Sequence, residues 1–170
     1  MEYEKIIHPF GPLYDEESKV LILGSFPSPK SREQNFFYGH PRNRFWPLMA
    51  KLFDENIPQS VEERAEFAHA HHIAIWDTIY SCDIIGASDS SIRNVVPTDL
   101  RVILEHSDVR HIFCNGATSA KYYALYHEKL LGMKALTMPS TSPANAAWSM
   151  DRLKDAWMVV KKRIIEDNIK

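Results

Sequence analysis

The sequence predicts an α/β fold, a three-layer α/β/α sandwich around a central, mainly parallel four-stranded sheet. Three observations carry this. Four short apolar runs, each closed by a polar or turn-forming residue, read as strands buried on both faces. Segments with helical spacing separate them, the alternation that builds a parallel sheet covered on both sides. At 170 residues, 45% hydrophobic and 25% charged, the chain suits one globular domain spanning 1–170.

In chain order, Val20-Leu21-Ile22-Leu23-Gly24 is the first strand, a continuous apolar run ended by glycine. From there to Asn43 the chain holds Pro27, Pro29, Gly39 and Pro41 and shows no period, so a long loop is expected. Such loops are usually functional or disordered, and the aromatics Phe36, Phe37 and Tyr38 favour order here. Phe45, Leu48, Met49, Leu52 and Phe53 recur at helical spacing, with Trp46 off the main stripe. Pro47 then falls in the first turn, where its missing amide proton does no harm. Ser60 and Glu63 form a capping box for a helix reaching about His72. Ile73-Ala74-Ile75-Trp76-Asp77 is the second strand, and a polar segment from Ser81 to Asn94 follows. Pro97-Thr98-Asp99 starts a short helix carrying Leu100, Ile103 and Leu104. His111 to Gly116 is the third strand with its turn, followed by a helix from about Ala117 to Leu131 that Gly132 stops. Lys134 to Met138 is the fourth strand. The last helix, about Ser149 to Asp167, buries Leu153, Ala156, Trp157, Val160 and Ile164.

Composition removes several classes of function. Cys82 and Cys114 stand far apart with no metal-ligand spacing, and Cys114 reads as a small buried hydrophobe suited to a reducing cytoplasm. His69, His71 and His72 lack a third ligand, so no metal and no cofactor are expected. No apolar run is long enough to cross a bilayer, and the acidic start Met1-Glu2-Tyr3-Glu4-Lys5 is unlike a signal peptide. A soluble, cytoplasmic monomer is the expectation. Glycine-rich dinucleotide and phosphate loops are missing, which argues against hydride and nucleotide-driven phosphoryl transfer. Gly24-Ser25-Phe26-Pro27-Ser28 is no nucleophile elbow, and a hydrolase using Ser25 or Ser28 with His40 lacks an orienting acid.

The net charge of −2 gives no global basic signal. Between Ser28 and Arg44, however, Lys30, Arg32, Arg42 and Arg44 face one acid, Glu33, which suits either phosphate contact or a solvated basic loop. In a parallel sheet, ligands bind beyond the carboxyl ends of the strands. The loops after Leu23, Trp76, Cys114 and Met138 therefore share one edge and hold the candidate chemistry.

Two stretches on that edge carry a family resemblance. Gly24-Ser25-Phe26-Pro27-Ser28 followed by Tyr38-Gly39-His40-Pro41-Arg42-Asn43-Arg44-Phe45-Trp46 resembles the first motif region of the uracil-DNA glycosylase superfamily, closest to its deoxyinosine (hypoxanthine) branch. Met138-Pro139-Ser140-Thr141-Ser142-Pro143-Ala144-Asn145 is similar to the second motif, and Asn115-Gly116 also fits. The mismatch-specific branch has a catalytic asparagine where this chain has Phe26, whereas the deoxyinosine branch places it in the His-Pro-Arg-Asn run, on Asn43. Met138 stands where other branches have a histidine acting on the leaving base.

The resemblance implies a metal-independent DNA-repair glycosylase that hydrolyses the N-glycosidic bond of a deaminated base, above all hypoxanthine. The alternatives are a mismatch-specific uracil or thymine glycosylase and a non-catalytic DNA-binding member. No lysine is placed as a Schiff-base nucleophile, so base release without strand cleavage is expected. Cleavage builds positive charge on the sugar and negative charge on the base, so Asn43 is expected to act by orienting water through its carbonyl, unless it only caps the following helix. The base must be extruded into a pocket, with Tyr38 stacking on it, Phe26 on the pocket floor and Asn115 on its Watson–Crick edge. Asp77 either meets a purine nitrogen or the departing base, or caps a turn. Ser28, His40, Arg42, Ser140, Thr141, Ser142 and Asn145 are expected to face the DNA.

Overall fold

The structure, a computed structural model, describes residues 2–169; Met1 and Lys170, the ends of the expected domain, lie outside them. The apolar runs form β2 (Val20–Gly24), β3 (Ile73–Asp77), β6 (His111–Asn115) and β7 (Ala135–Met138), with β1, β4 and β5 belonging to a second sheet described below. These four strands make one parallel sheet in the order β3-β2-β6-β7, with Val20 opposite both Ile73 and His111, and Phe113 opposite Leu136. Every residue of β2 and β3 is buried, as strands sandwiched between two helical layers must be.

The connection from β2 to β3 contains α1 (Pro29–Gln34), α2 (Phe45–Leu52) and α3 (Val61–Ala70). After α4 (Arg101–Leu104) and β6, the chain runs through α5 (Ala117–Tyr126) and α6 (Glu128–Leu131) to β7, and ends in α7 (Met150–Ile169). The two crossovers run in opposite directions from the middle of the sheet, so right-handed connections put their helices on opposite faces. α7 packs on α2, and α5 packs on β6 and β7. This is the three-layer α/β/α sandwich, and β2 and β6 flank the point where the connections part.

Several local expectations change. α1 forms inside the expected loop, because Ser28 caps it by accepting the Ser31 amide and Pro29 takes its first turn. Trp46 lies off the apolar stripe yet is buried, its Nε1 donating to Phe37 O at 3.1 Å and its ring stacked with Phe36. In the capping box, Ser60 accepts the Glu63 amide, but the Glu63 carboxylate reaches back to Gln59 N. The helix after Gly116 breaks at His127, whose buried imidazole bonds Thr78 O at 2.9 Å, and Gly132 stops it in the left-handed region.

A second, antiparallel sheet in the order β1-β4-β5 was not expected: β1 (Glu4–Ile7), β4 (Ile79–Ile84) and β5 (Arg93–Pro97). β1 and β5 are largely exposed, and β4 pairs with β5 through register shifts at Ser81, so neither shows a clean alternation. No described helix is long and apolar enough to cross a membrane. Burial pushes the Cys82 and Cys114 thiols up to about 11, so both are unreactive thiols of the interior.

Candidate active site

Beyond the carboxyl ends of the parallel strands lies a cavity of about 520 Å³, within the roughly 300–1,000 Å³ usual for small-ligand sites. Its walls come from Gly24 to Ser28 at and beyond the end of β2, Phe37, Tyr38, His40 and Asn43 before α2, Asp77 at the end of β3, Asn115 at the end of β6 and Ser140 to Ala144 after β7. The two motif stretches thus close on one space. Of the residues singled out in the sequence, Phe26, Ser28, Tyr38, His40, Asn43, Asp77, Asn115, Ser140, Thr141 and Ser142 line it, while Arg42 and Asn145 do not.

One hydrogen-bond chain ties the walls together. Asn115 grips Thr141 with both ends of its amide: Oδ1 accepts the Thr141 amide and Nδ2 donates to Thr141 Oγ1, each at 3.0 Å. Thr141, fully buried, then donates its hydroxyl to Asn43 Oδ1 at 2.8 Å. Asn43 Oδ1 also accepts the Phe45 amide at 2.9 Å, closing the start of α2. A carbonyl oxygen has two lone pairs, and both are engaged. Nδ2, with no hydrogen bond among the described residues, is the polar end left to the cavity. Asn43, one position before the Arg44 N-cap, thus lines the cavity while its carbonyl, the group expected to hold water, accepts two hydrogen bonds from the protein itself.

Tyr38 sits in the left-handed region at φ 55°, a conformation that a bulky residue adopts only at a cost of about 1–3 kcal/mol. Phe45 covers one face of its ring, 4.1 Å away and nearly parallel. Its hydroxyl is buried, with the Asn115 amide near it as a donor and no acceptor for its own hydrogen among the described residues. Burial, reinforced by the Asp77 charge and partly offset by the Asn115 amide, pushes the phenol above its usual range, so it stays protonated.

Asp77 is buried, and its Oδ2 meets His8 Nε2 at 2.7 Å. The Phe10 amide donates to His8 Nδ1, so Nε2 carries the imidazole hydrogen and donates it to the carboxylate. Asp77 Oδ1 makes no hydrogen bond among the described residues and lies over Gly24, where an added Cβ would stand 2.5 Å from it and 3.4 Å from Tyr38 Oη. Only glycine permits this close approach. Gly116 is similarly required, at φ 98° with Ser140 Cβ 3.1 Å from an added Cβ.

The basic cluster divides on inspection. Arg44 donates to Asn145 O at 2.9 Å and to Trp148 O, and its amide bonds Thr141 O, so it straps α2 to the loop after β7. Arg32 reaches Pro27 O and Lys30 pairs with Glu33. Arg42 is exposed, with no side-chain bond among the described residues. Asn145 spends its Nδ2 on Ser140 O. Ser28 bonds Ser31, and His40 Nδ1 accepts the Arg42 amide, so no serine–histidine pair forms.

Three contributors escaped the sequence reading. His8 reaches the site from 69 positions upstream and leaves no local signal. Ser31, buried, accepts the Gly39 amide at 2.9 Å and so folds the first loop back on itself. Ala87, Ser88 and Asp89, within the polar segment, form part of the wall.

Hypoxanthine DNA glycosylases from Methanosarcina acetivorans and Methanosarcina barkeri are similar to the chain. The first is 29% identical over 153 residues, covering 89% of this chain and 95% of the relative. The second is 28% identical over 157 residues, covering 91% and 97%. A solution NMR structure of a candidate uracil DNA glycosylase from Methanosarcina acetivorans superposes with a TM-score of 0.77 at 29% identity, covering 94% of this chain and 99% of that one. The uracil DNA glycosylase superfamily model matches residues 12–162. On that match over most of its length, the chain belongs to the uracil DNA glycosylase superfamily.

Proposed function

We propose that the protein is a monofunctional glycosylase that releases hypoxanthine from deoxyinosine in DNA. The observation that carries the reading is the Asn115–Thr141–Asn43 chain, which fastens both motif loops around one cavity and presents a single free amide end. The similar hypoxanthine DNA glycosylases support the choice of base.

In this reading the nucleotide is extruded into the cavity and the C1′–N9 bond breaks towards an oxocarbenium-like sugar. Asn43 Nδ2 donates to the oxygen of the attacking water, which leaves the water's remaining lone pair for C1′. No proton need move to Asn43, because the electrophile is already strong: the electron pair of the broken bond leaves with the purine, which takes up one proton from solvent as the water bonded to C1′ releases one to it. Fixed positioning of this kind contributes about 3–4 kcal/mol per well-placed group. The exposed Arg42 and the serines at 140 and 142 meet flanking phosphates.

Duplexes carrying deoxyinosine, uracil, mismatched thymine or xanthine, assayed with and without alkali, test the reading. Deoxyinosine is expected to react fastest, with strand breaks appearing only after alkali. Faster release of uracil, strand breaks without alkali, or binding without release of any base refutes it.

A further inference from the structure

The cavity floor holds an unmatched donor and an unmatched acceptor side by side. Tyr38 Oη is a buried hydroxyl that has the Asn115 amide as a neighbouring donor but no acceptor for its own hydrogen, and Asp77 Oδ1, unlike Oδ2, makes no hydrogen bond among the described residues; both lie over Gly24. A buried polar group left unpaired is costly, about 1–3 kcal/mol, and in a binding cavity it marks where a ligand completes the pairing. His8 restricts what that ligand is. With its Nε2–H given to Oδ2 and its Nδ1 accepting from Phe10, the imidazole holds the carboxylate still and leaves Oδ1 as an acceptor. Phe45 fixes the Tyr38 ring by stacking, which makes the hydroxyl edge, rather than the ring face it covers, the reading element.

We infer that Tyr38 Oη and Asp77 Oδ1 read the lactam edge of the extruded base, Tyr38 donating to the exocyclic oxygen and Asp77 accepting the ring N–H, with His8 as the positioning residue. Hypoxanthine offers this edge as O6 and N1–H. Adenine presents the reverse, an amino donor and a bare N1, so its N1 lone pair would face the carboxylate. Deamination converts the rejected pattern into the accepted one, which lets the site distinguish hypoxanthine from the adenine it arises from without contacting the opposite strand; guanine shares this edge and differs only by its 2-amino group.

The inference rests on the hypoxanthine reading, and the test separates the two. Single-turnover release is measured from duplexes containing deoxyinosine, 1-methyldeoxyinosine or deoxynebularine. The methyl group removes N1–H while adding bulk, and nebularine removes both edge groups while reducing it. Both are expected to react at least about a hundredfold more slowly than deoxyinosine, as sites built around a ligand's hydrogen bonds reject analogues lacking them. Nebularine released within tenfold of deoxyinosine overturns the inference and leaves the hypoxanthine reading standing; no release from deoxyinosine overturns both.

Variants locate the effect. Tyr38→Phe and His8→Phe are expected to narrow the deoxyinosine-to-nebularine ratio at least tenfold. His8→Gln, which keeps a donor for Oδ2, is expected to retain the wild-type ratio, with melting curves confirming a folded protein. A residue that merely supports the fold would lower both rates together. An unchanged ratio in a folded His8→Phe or Tyr38→Phe protein overturns the assignment.

Discussion

Replacing Asn43 with alanine removes one side chain but unmakes two hydrogen bonds, to the Phe45 amide and the Thr141 hydroxyl. The first is a helix-start contact worth about 1 kcal/mol. The second leaves the hydroxyl of a fully buried threonine without its acceptor, costing about 1–3 kcal/mol. Together the loss is about 2–4 kcal/mol, and at roughly 2–4 °C per kcal/mol for a domain of this size it lowers Tm by roughly 5–15 °C. Removing the free Nδ2 is expected to slow base release at least about a hundredfold. The two effects separate in Asn43→Asp, which keeps an acceptor for both donors but lacks Nδ2. Its Tm is expected to stay within about 2 °C of wild type, no more than the smallest change for one lost hydrogen bond, while its rate falls with the alanine variant. Calorimetry and single-turnover release on a deoxyinosine duplex read both. Full activity in Asn43→Ala refutes a catalytic Asn43; full activity in Asn43→Asp refutes the Nδ2 assignment.

Gly24→Ala places a Cβ 2.5 Å from Asp77 Oδ1, so a loss of about 1–3 kcal/mol in stability and a displaced carboxylate are expected, visible as reduced Tm and at least tenfold slower release. Arg42→Ala is expected to weaken DNA binding and reduce the slope of log K against log salt by about 0.9, whereas Arg44→Ala is expected to lower Tm and leave that slope unchanged, which a salt titration distinguishes. Burial lowers the His127 pKa from its ordinary 6.5. Below about pH 6.5 the unfolded chain binds a proton that the native imidazole refuses, so stability present above that pH is lost as pH falls, by up to about 1.4 kcal/mol per pH unit. His127→Gln, which keeps a donor for Thr78 O, is expected to flatten that part of the Tm profile between pH 7 and 5.

The parallel sheet was legible because strands buried on both faces must be apolar at every position, and β2 and β3 obey this without exception. The second sheet was not. Glu4-Lys5-Ile6-Ile7 is mostly exposed, and what holds it is backbone pairing with Ser81 to Ile84, to which side-chain pattern is indifferent. The helix broken at His127 was hidden for a related reason. No glycine or proline interrupts the sequence from Ala117 to Leu131, and only the position of Thr78, fixed by the fold, shows the imidazole turning inward.

Arg42 and Arg44 show why site residues were easier to locate than to assign. Two positions apart in the same basic run, they are indistinguishable by composition, yet one points to solvent and the other is spent on carbonyls more than 100 positions away. Partners of polar groups are set by topology, so the informative quantity is not which polar residues border the cavity but which of their donors and acceptors the fold leaves unspent. By that count Asn115, Thr141, Arg44 and Asn145 are fasteners, whatever their chemistry suggests. Among the groups the fold leaves unspent along the cavity are Ser25 Oγ and His40 Nε2 as well as Asn43 Nδ2, the Tyr38 O–H and Asp77 Oδ1; the last three supply one amide for the water and one donor–acceptor pair for the base. A site that sets a donor–acceptor pair against the base discriminates by mismatch rather than by tight binding, since a base that fails to satisfy the buried pair leaves both members unpaired. Selectivity is thus expected to appear in the rate of base release more than in the affinity for DNA, which the phosphate contacts supply to damaged and undamaged strands alike.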